Sequence, residues 1–303
     1  MTQDFVVSAV GTLAPPHPGA TGWFDQRAEL GRGYRHLPTA AQYLLAAVKR
    51  VLAQQGAADG LSAVPEERRA VAVGTNHAVA ALHAEIDRAT VEGEARLLSP
   101  TAVPYFSPNL IASRVAMEHA LKGFSLAVHT PRTAGLEALQ TGLRALRSGR
   151  ADWLLAGATE VVPPESDKAA VTVRGAAEDG ALALVVESAR SVRDRGLRAL
   201  GRVEARSLFV PPHQGAGAPL TALLQDLGVP SAAAVRVAGD GSPLAAAVAA
   251  VLGVAAEPAG AGSLRPLQAV AAALSGPTAP QLVVAVTGAG HVTAVLVTTS
   301  TPQ

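Results

Sequence analysis

The chain has 303 residues, of which 49% are hydrophobic; 25 basic and 24 acidic side chains leave a net charge of +1, and there is no cysteine. That length and apolar content can bury a sizeable core in one large α/β domain or two smaller ones. The balanced charge argues against nucleic acid as a partner, and the missing cysteine excludes disulfides, cysteine-rich zinc sites and a thiol nucleophile. The start, MTQDFVVSAVG, has neither the basic nor the long apolar region of a secretory leader. Apolar runs such as Gln281–Val286 are too short to span a bilayer. A cytoplasmic protein without a membrane partner, metal or cofactor is expected.

Phe5–Val10 is β-rich and stops at Gly11, which predicts an opening strand. Residues 14–38 hold several Pro and Gly and read as a long excursion. Ala41, Leu44, Leu45, Val48 and Leu52 recur at helical spacing over Thr39–Gln54. Arg69–Gly74 reads as a short buried strand and His77–Arg88 as a helix. Ser99–Pro108, rich in proline and aromatics, reads as irregular. Asn109–Leu121 returns to helix, with Asn109 as N-cap and Gly123 as stop. Ser125–Thr130 reads as a buried strand. Leu136, Leu139, Leu143 and Leu146 form a helical stripe that ends near Gly149. Trp153–Ala156 and Glu160–Val162 read as strand pieces around Gly157. Together they predict a parallel, right-handed β-α-β unit.

The second half opens with a strand at Ala181–Glu187, followed by an alternating segment, Arg198–Phe209. A helix is predicted at Leu220–Leu227, a strand at Ala233–Ala238, and helices at Pro243–Leu252 and Leu264–Leu274. Leu282–Val286 and Val292–Thr298 read as a closing hairpin around TGAGH. Alternating helices and strands give an α/β class. Two approximate halves, 1–175 and 176–303, have similar element orders, within one domain and without a clear sequence repeat.

Ser125–Glu137, SLAVHTPRTAGLE, runs from apolar strand through a sharp turn into helix. It resembles the nucleophile elbow of the β-ketoacyl synthases, condensing enzymes of the thiolase superfamily. Other segments are similar in the same order: Phe24–Gly56, Ala70–Thr75, Pro104–Gly123, Ala134–Ala158 with its SGRAD turn, and Gly180–Glu187. The resemblance implies a thiolase-like fold, two pseudo-duplicated α/β halves layered α-β-α-β-α, in a chain shorter than usual for the family.

The family's chemistry does not follow. The cysteine position of the elbow is Arg132. The loop that holds the first catalytic histidine reads Ala238-Gly239-Asp240-Gly241-Ser242-Pro243, with Ala238 at the histidine position. The later lysine and histidine are missing from the shortened Gly260–Gln268 segment, and Glu160–Gly180 is compressed. A Claisen condensation needs a nucleophile and donors for the enolate. Arginine at a helix N-terminus is no nucleophile, and it meets the unfavourable end of the dipole at roughly 0.3–1 kcal/mol. Its guanidinium is expected to turn toward a carboxylate or carbonyls. Thr130 and Thr133 offer hydroxyls without a family histidine beside them, and strand alternation turns His129 away from Thr130.

Family members are dimers in which the strand before the elbow pairs across the two-fold. The resemblance therefore implies a non-catalytic subunit, like the chain length factor of type II polyketide synthases, in a heterodimer with an active ketosynthase and served by an acyl carrier protein. Arginine departs from the glutamine usual in chain length factors and leaves open the reducing, polyene-making systems. Tunnel and interface positions are then Tyr105, Phe106, Leu110, Ile111, His129, Thr130 and Arg132, within Ala102–Ile111 and the elbow.

Plainer readings stand beside these. Arg132 as an exposed turn arginine, Tyr105 and Phe106 as ordinary packing, and His77 and His83 as surface residues are all consistent with the sequence. The arginines at 144, 147, 150, 190, 193, 195 and 198 suit solvated helix faces better than a carrier-protein surface. The glycine pairs 239/241, 260/262 and 288/290 lack the third glycine of a dinucleotide fingerprint and read as turns. Two other functions stay open: a decarboxylase or acyltransferase that uses Arg132 to hold a carboxylate, and a homodimeric scaffold.

Overall fold

The computed structural model describes residues 4–56, 59–93, 96, 98, 100, 103–164, 177–211 and 214–300. Its strands are β1 (Phe5–Leu13), β2 (Arg69–Gly74), β3 (Ser125–Val128), β4 (Trp153–Glu160), β5 (Gly180–Ser188), β6 (Gly201–Phe209), β7 (Ala234–Gly239), β8 (Ala256–Pro258), β9 (Gln281–Val286) and β10 (His291–Thr299). Helices are α1 (Gln26–Leu30), α2 (Thr39–Gln54), α3 (Asp59–Ser62), α4 (Ala80–Val91), α5 (Leu110–Glu118), α6 (Ala134–Arg147), α7 (Ala189–Asp194), α8 (Gly217–Leu227), α9 (Pro243–Val251) and α10 (Leu264–Leu274).

The strands form one ten-stranded sheet in the order β3-β2-β4-β5-β1-β6-β10-β9-β7-β8. Read inward from each edge, the order repeats: third, second, fourth, fifth, first. The two runs meet where β1 pairs with β6 only at Val6↔Arg202 and Val7↔Gly201. This topological duplication divides between β5 and β6; residues 175 and 176, the boundary expected from sequence, lie outside the described residues. Within each half the three strands nearest the edge are parallel, and the two inner strands run antiparallel to their neighbours.

Among the described residues three apolar cores pack the helices against the strands. The central one packs α6 and α10 between the halves: Leu136, Leu139, Leu143 and Leu146 meet Leu264, Leu267 and Val270, with Val203, Val283 and Val295 below. A second packs α2 and α5 on the outer face of the first half, through Leu44, Leu45, Val48, Ile111 and Val115. A third packs α8 and α9 on the outer face of the second half. The α-β-α-β-α thiolase-like layering follows directly. The few large side chains leave close approach to glycine and alanine. At Gly142 an added Cβ would strike the Leu154 side chain, and at Gly135 it would lie 2.5 Å from the carbonyl of Ser263, the residue that precedes α10.

Several sequence expectations need correction. Trp153–Glu160 is one uninterrupted strand, because Gly157 makes room for the β5 backbone: a Cβ there would lie 2.8 Å from the Leu182 carbonyl. The helix expected from His77 begins at Ala80; His77 is instead turned inward, its Nδ1 3.5 Å from the buried Glu160. The strand at Ser125 is not buried. It is half-buried and forms one edge of the sheet. Arg195 belongs to no solvated face: it is largely buried and pairs with Glu187. Among the described residues no helix is long and apolar enough to cross a membrane.

Gly74 ends β2 directly beneath the start of α6, and a Cβ on it would collide with the backbone of Ala134 and Gly135. Gly74→Ala is expected to destabilise the protein by roughly 1–3 kcal/mol, the usual penalty of overpacking. A urea midpoint equal to that of the unchanged chain would refute this packing.

Candidate functional site

The turn between β3 and α6 places Arg132 in the left-handed region, at φ 63°. A branched or long side chain there costs about 1–2 kcal/mol, so surrounding bonds must hold it. Two do. The Arg132 N–H donates to Asn76 Oδ1 at 3.1 Å, and Nε donates to the Gly260 carbonyl at 3.2 Å. Asn76 is itself fixed, its own N–H on Glu160 Oε1 at 2.8 Å and its Nδ2 on the His129 carbonyl at 3.3 Å. The guanidinium thus reaches a carbonyl, as expected of an arginine at a helix N-terminus.

Opposite Arg132 lies the loop after β7. Asp240 accepts from the Gly288 N–H at 2.7 Å and the Ser242 N–H at 3.0 Å. Burial acts to raise its pKa, but those bonds, with the Arg132 charge, outweigh burial and hold the carboxyl below the usual carboxylate range. Neighbouring N–H groups are equally committed, with Ala289 N–H on Thr287 Oγ1 at 3.1 Å. Oxyanion stabilisation requires donors aimed at an empty position; the Arg132, Gly288 and Ala289 amides all point at partners within the chain.

Thr130 and Thr133 converge on Glu137, donating to its two oxygens at 2.6 and 2.9 Å. His291 Nδ1 sits 3.7 Å from Glu137 Oε1, the oxygen that Thr133 also reaches, and its ring meets Phe209 edge-on. Hydroxyl, carboxylate and imidazole therefore occur together, with the Glu137 carboxylate on both hydroxyls and the imidazole on the carboxylate, not on a hydroxyl. Sequence analysis named the threonines and missed Glu137. Its signal was its place one turn into the helix after Thr133.

Ala238 is half-buried and lines a separate cavity of about 540 Å³ with Arg236, Glu257, Arg265 and Gln268. The other expected site residues do not form one surface. Ile111 is core, and Leu110 opens α5. Tyr105 faces a cavity of about 630 Å³ with Leu37, Ala78, Leu82 and Val161. Phe106 is exposed and lies on His83, ring centroids 4.5 Å apart. His83, Pro108, Val79, Asn76 and His129 line another cavity, of about 540 Å³. That cavity shares Asn76 with the Arg132 bond and so adjoins the elbow. His129 is exposed there, and its backbone, not its ring, holds Asn76. Ala102 lies outside the described residues.

Beneath the elbow sits a carboxylate pair. Glu160, fully buried, accepts from the N–H groups of Asn76, His77 and Ser263 and from the Ser263 hydroxyl, at 2.7–2.8 Å. Glu178 accepts from the Leu264 and Arg265 N–H groups at the start of α10. Gly262 fits between them: a Cβ would lie 2.6 Å from Glu160 Cδ and 2.7 Å from Glu178 Oε2. Burial first, and the Glu160 charge second, push the Glu178 pKa up to about 8, against the pull of the two N–H bonds and Arg265. Among the described residues no group of three or more His, Asp or Glu could hold a metal ion.

Residues 31–180 match the family model described as Beta-ketoacyl synthase, N-terminal domain. No curated protein sequence matches the chain. Among solved structures, the chain is similar to AntDE:AntF, a type II PKS acyl-carrier protein in complex with its ketosynthase bound to the hexaketide (TM-score 0.77, 16% identity, 99% of this chain and 100% of that one). It is also similar to the ishigamide ketosynthase/chain length factor (TM-score 0.77, 19% identity, 98% and 100%). A β-ketoacyl synthase from Burkholderia phymatum STM815 gives 0.74 at 14% identity, covering 99% and 100%. These likenesses carry the fold.

Glu178 is protonated in the folded state up to about pH 8 but ionises near 4.5 when exposed. Its folded pKa is raised, so the folded chain binds the extra proton, and its contribution to stability falls as pH rises between those values. Glu178→Gln is expected to remove that slope. Urea midpoints of the unchanged chain should decline from about pH 5 to about pH 8 relative to the variant; parallel pH profiles would contradict the assignment.

Proposed function

We propose that this chain, a member of the ketosynthase-like superfamily by its matched domain and its fold, is a non-catalytic subunit of chain length factor type. It pairs with an active ketosynthase and shapes the acyl tunnel of a type II polyketide system, which an acyl carrier protein serves. One observation carries the reading: the elbow presents Arg132 where the family holds its nucleophile, and the arginine is tied down by Asn76 and Gly260. Ala238 removes the first base, and the amides that would stabilise an oxyanion are occupied. The similarity to the ishigamide ketosynthase/chain length factor and to the AntDE:AntF complex supports the same setting. Against the decarboxylase reading, the Arg132 guanidinium already donates to Gly260 and faces Asp240, whose negative charge repels a substrate carboxylate.

Co-expression with a cysteine-bearing ketosynthase encoded beside this chain tests the proposal. A stable one-to-one complex is expected; a chain that purifies alone and ignores that ketosynthase would end the reading.

Phe106 lies on His83, which lines the cavity adjoining the elbow. Phe106→Ala is expected to lengthen the product distribution. Tyr105→Ala, which opens a cavity not shared with the elbow, is expected to leave it unchanged. The opposite pattern would move the tunnel to the Tyr105 side.

A further inference from the structure

Two cavities adjoin on the outer face of the first half, and neither is lined by an elbow residue. One, of about 840 Å³, lies between the loop after β1 and the start of α2, against Trp23, Phe24, Tyr43 and Asp179. The other is the cavity of about 630 Å³ that Tyr105 lines. Thr39, Tyr43, Val162 and Asp179 line both. The chain is only 3% aromatic, yet Trp23, Phe24, Tyr43 and Tyr105 all stand here. The first three form one cluster, with ring centroids 4.9–5.8 Å apart.

Asp179 stands where the two cavities join. Its Oδ2 accepts from Trp23 Nε1 at 2.8 Å and from the Tyr43 hydroxyl at 3.4 Å, and its Oδ1 has no hydrogen bond among the described residues. The carboxylate is half-buried, and burial raises its pKa against the pull of those two donors. Among the described residues neither cavity is lined by a lysine or an arginine, and Glu85 adds a second carboxylate. His36 also lines the smaller cavity, its ring 6.0 Å from that of Tyr105. The backbone holds this arrangement in place. Gly180 follows Asp179 at φ 122°, and a Cβ there would collide with the Leu13 carbonyl at the end of β1. Asp25 caps α1 by accepting from the Arg27 and Ala28 N–H groups, which anchors the chain just after Trp23 and Phe24.

A mostly apolar cavity of this size, with a few polar groups, suits a small molecule. Aromatic rings beside a carboxylate without a counter-charge favour a positive one: the ring faces attract a cation through their quadrupole, and the carboxylate pairs with it directly. A metal ion does not fit, since among the described residues no three His, Asp or Glu come together to hold one. An organic anion would meet Asp179 and Glu85 with no lysine or arginine to balance them. We propose that the Asp179 groove binds a small organic ammonium compound, its charged nitrogen at Asp179 and its apolar body against Trp23, Phe24 and Tyr43. Such a site operates whether or not the chain pairs with a ketosynthase.

Titration of the purified full chain with benzyltrimethylammonium, followed by calorimetry and by tryptophan fluorescence, tests this. Trp153 has no exposure, so a change in emission reports on Trp23. One-to-one binding with such a change is expected, and phenylacetate and benzyl alcohol should bind at least about tenfold more weakly. Asp179→Asn keeps an acceptor for Trp23 and Tyr43 but loses the charge, and should weaken ammonium binding at least about tenfold. Val162 is exposed and lines both cavities, so it can be charged without disturbing the core. Val162→Glu should tighten binding and Val162→Lys should weaken it, both effects shrinking as salt rises. Absence of binding, or phenylacetate bound as tightly as the ammonium, would overturn the proposal. So would an Asp179→Asn chain of unchanged affinity. If that variant unfolds at a lower temperature than the unchanged chain, the two Val162 variants decide, and equal affinity in both would refute the site.

Discussion

Everything around the elbow hangs from the carboxylate of Glu160. It has no exposure and accepts from three backbone N–H groups and one hydroxyl. Those donors come from the loop after β2 and from the start of α10, so a single side chain on β4 joins the two pseudo-duplicated halves. A buried charge this well satisfied is costly to disturb. Its bond to the Asn76 amide fixes the residue that in turn takes the Arg132 N–H. The arginine is therefore held in a strained backbone conformation by a chain of bonds that begins in the core.

This arrangement separates what the fold requires from what chemistry requires. The fold requires the small residues at Gly74, Gly135 and Gly142, where α6 is wedged between β2, β4 and α10. It also requires the Glu160 anchor and the leucine stripe of α6. Chemistry would require a nucleophile at the helix start, a base on the β7 loop and free amides. The first set is intact. In place of the second stand Arg132, Ala238 and a ring of amides committed to Asn76, Asp240 and Thr287. A scaffold kept in register around such an elbow is what the proposed partner subunit needs, its work being done by shape and contact.

Much of this was legible in sequence because the core elements follow simple periodicities. The stripe Leu136, Leu139, Leu143, Leu146 gave α6, and Thr39–Gln54 gave α2 with the same limits as observed. The strand-turn-helix pattern at Ser125–Glu137 located the elbow. What was not legible depends on long-range partners. Gly157 reads as a strand break until the β5 backbone is seen against it. His77 reads as surface until Glu160, distant in sequence, is placed beneath it. Asn76, Asp240 and Gly260 carry no motif of their own, and only tertiary structure brings them to Arg132. Tyr105 and Phe106 are adjacent in sequence yet have different surroundings: within the helical turn over Val103–Phe106, Tyr105 lines a cavity and Phe106 lies exposed on the ring of His83.

The central claim is that the elbow of this chain carries no acyl group while the chain forms part of an acyl-carrying assembly. Intact mass of both subunits, taken from the purified complex after incubation with an acylated carrier protein, tests it most directly. The account predicts acyl mass on the cysteine-bearing subunit and none on this one. An acyl adduct on this chain, at Thr130, Thr133 or any other residue of the elbow, would contradict it.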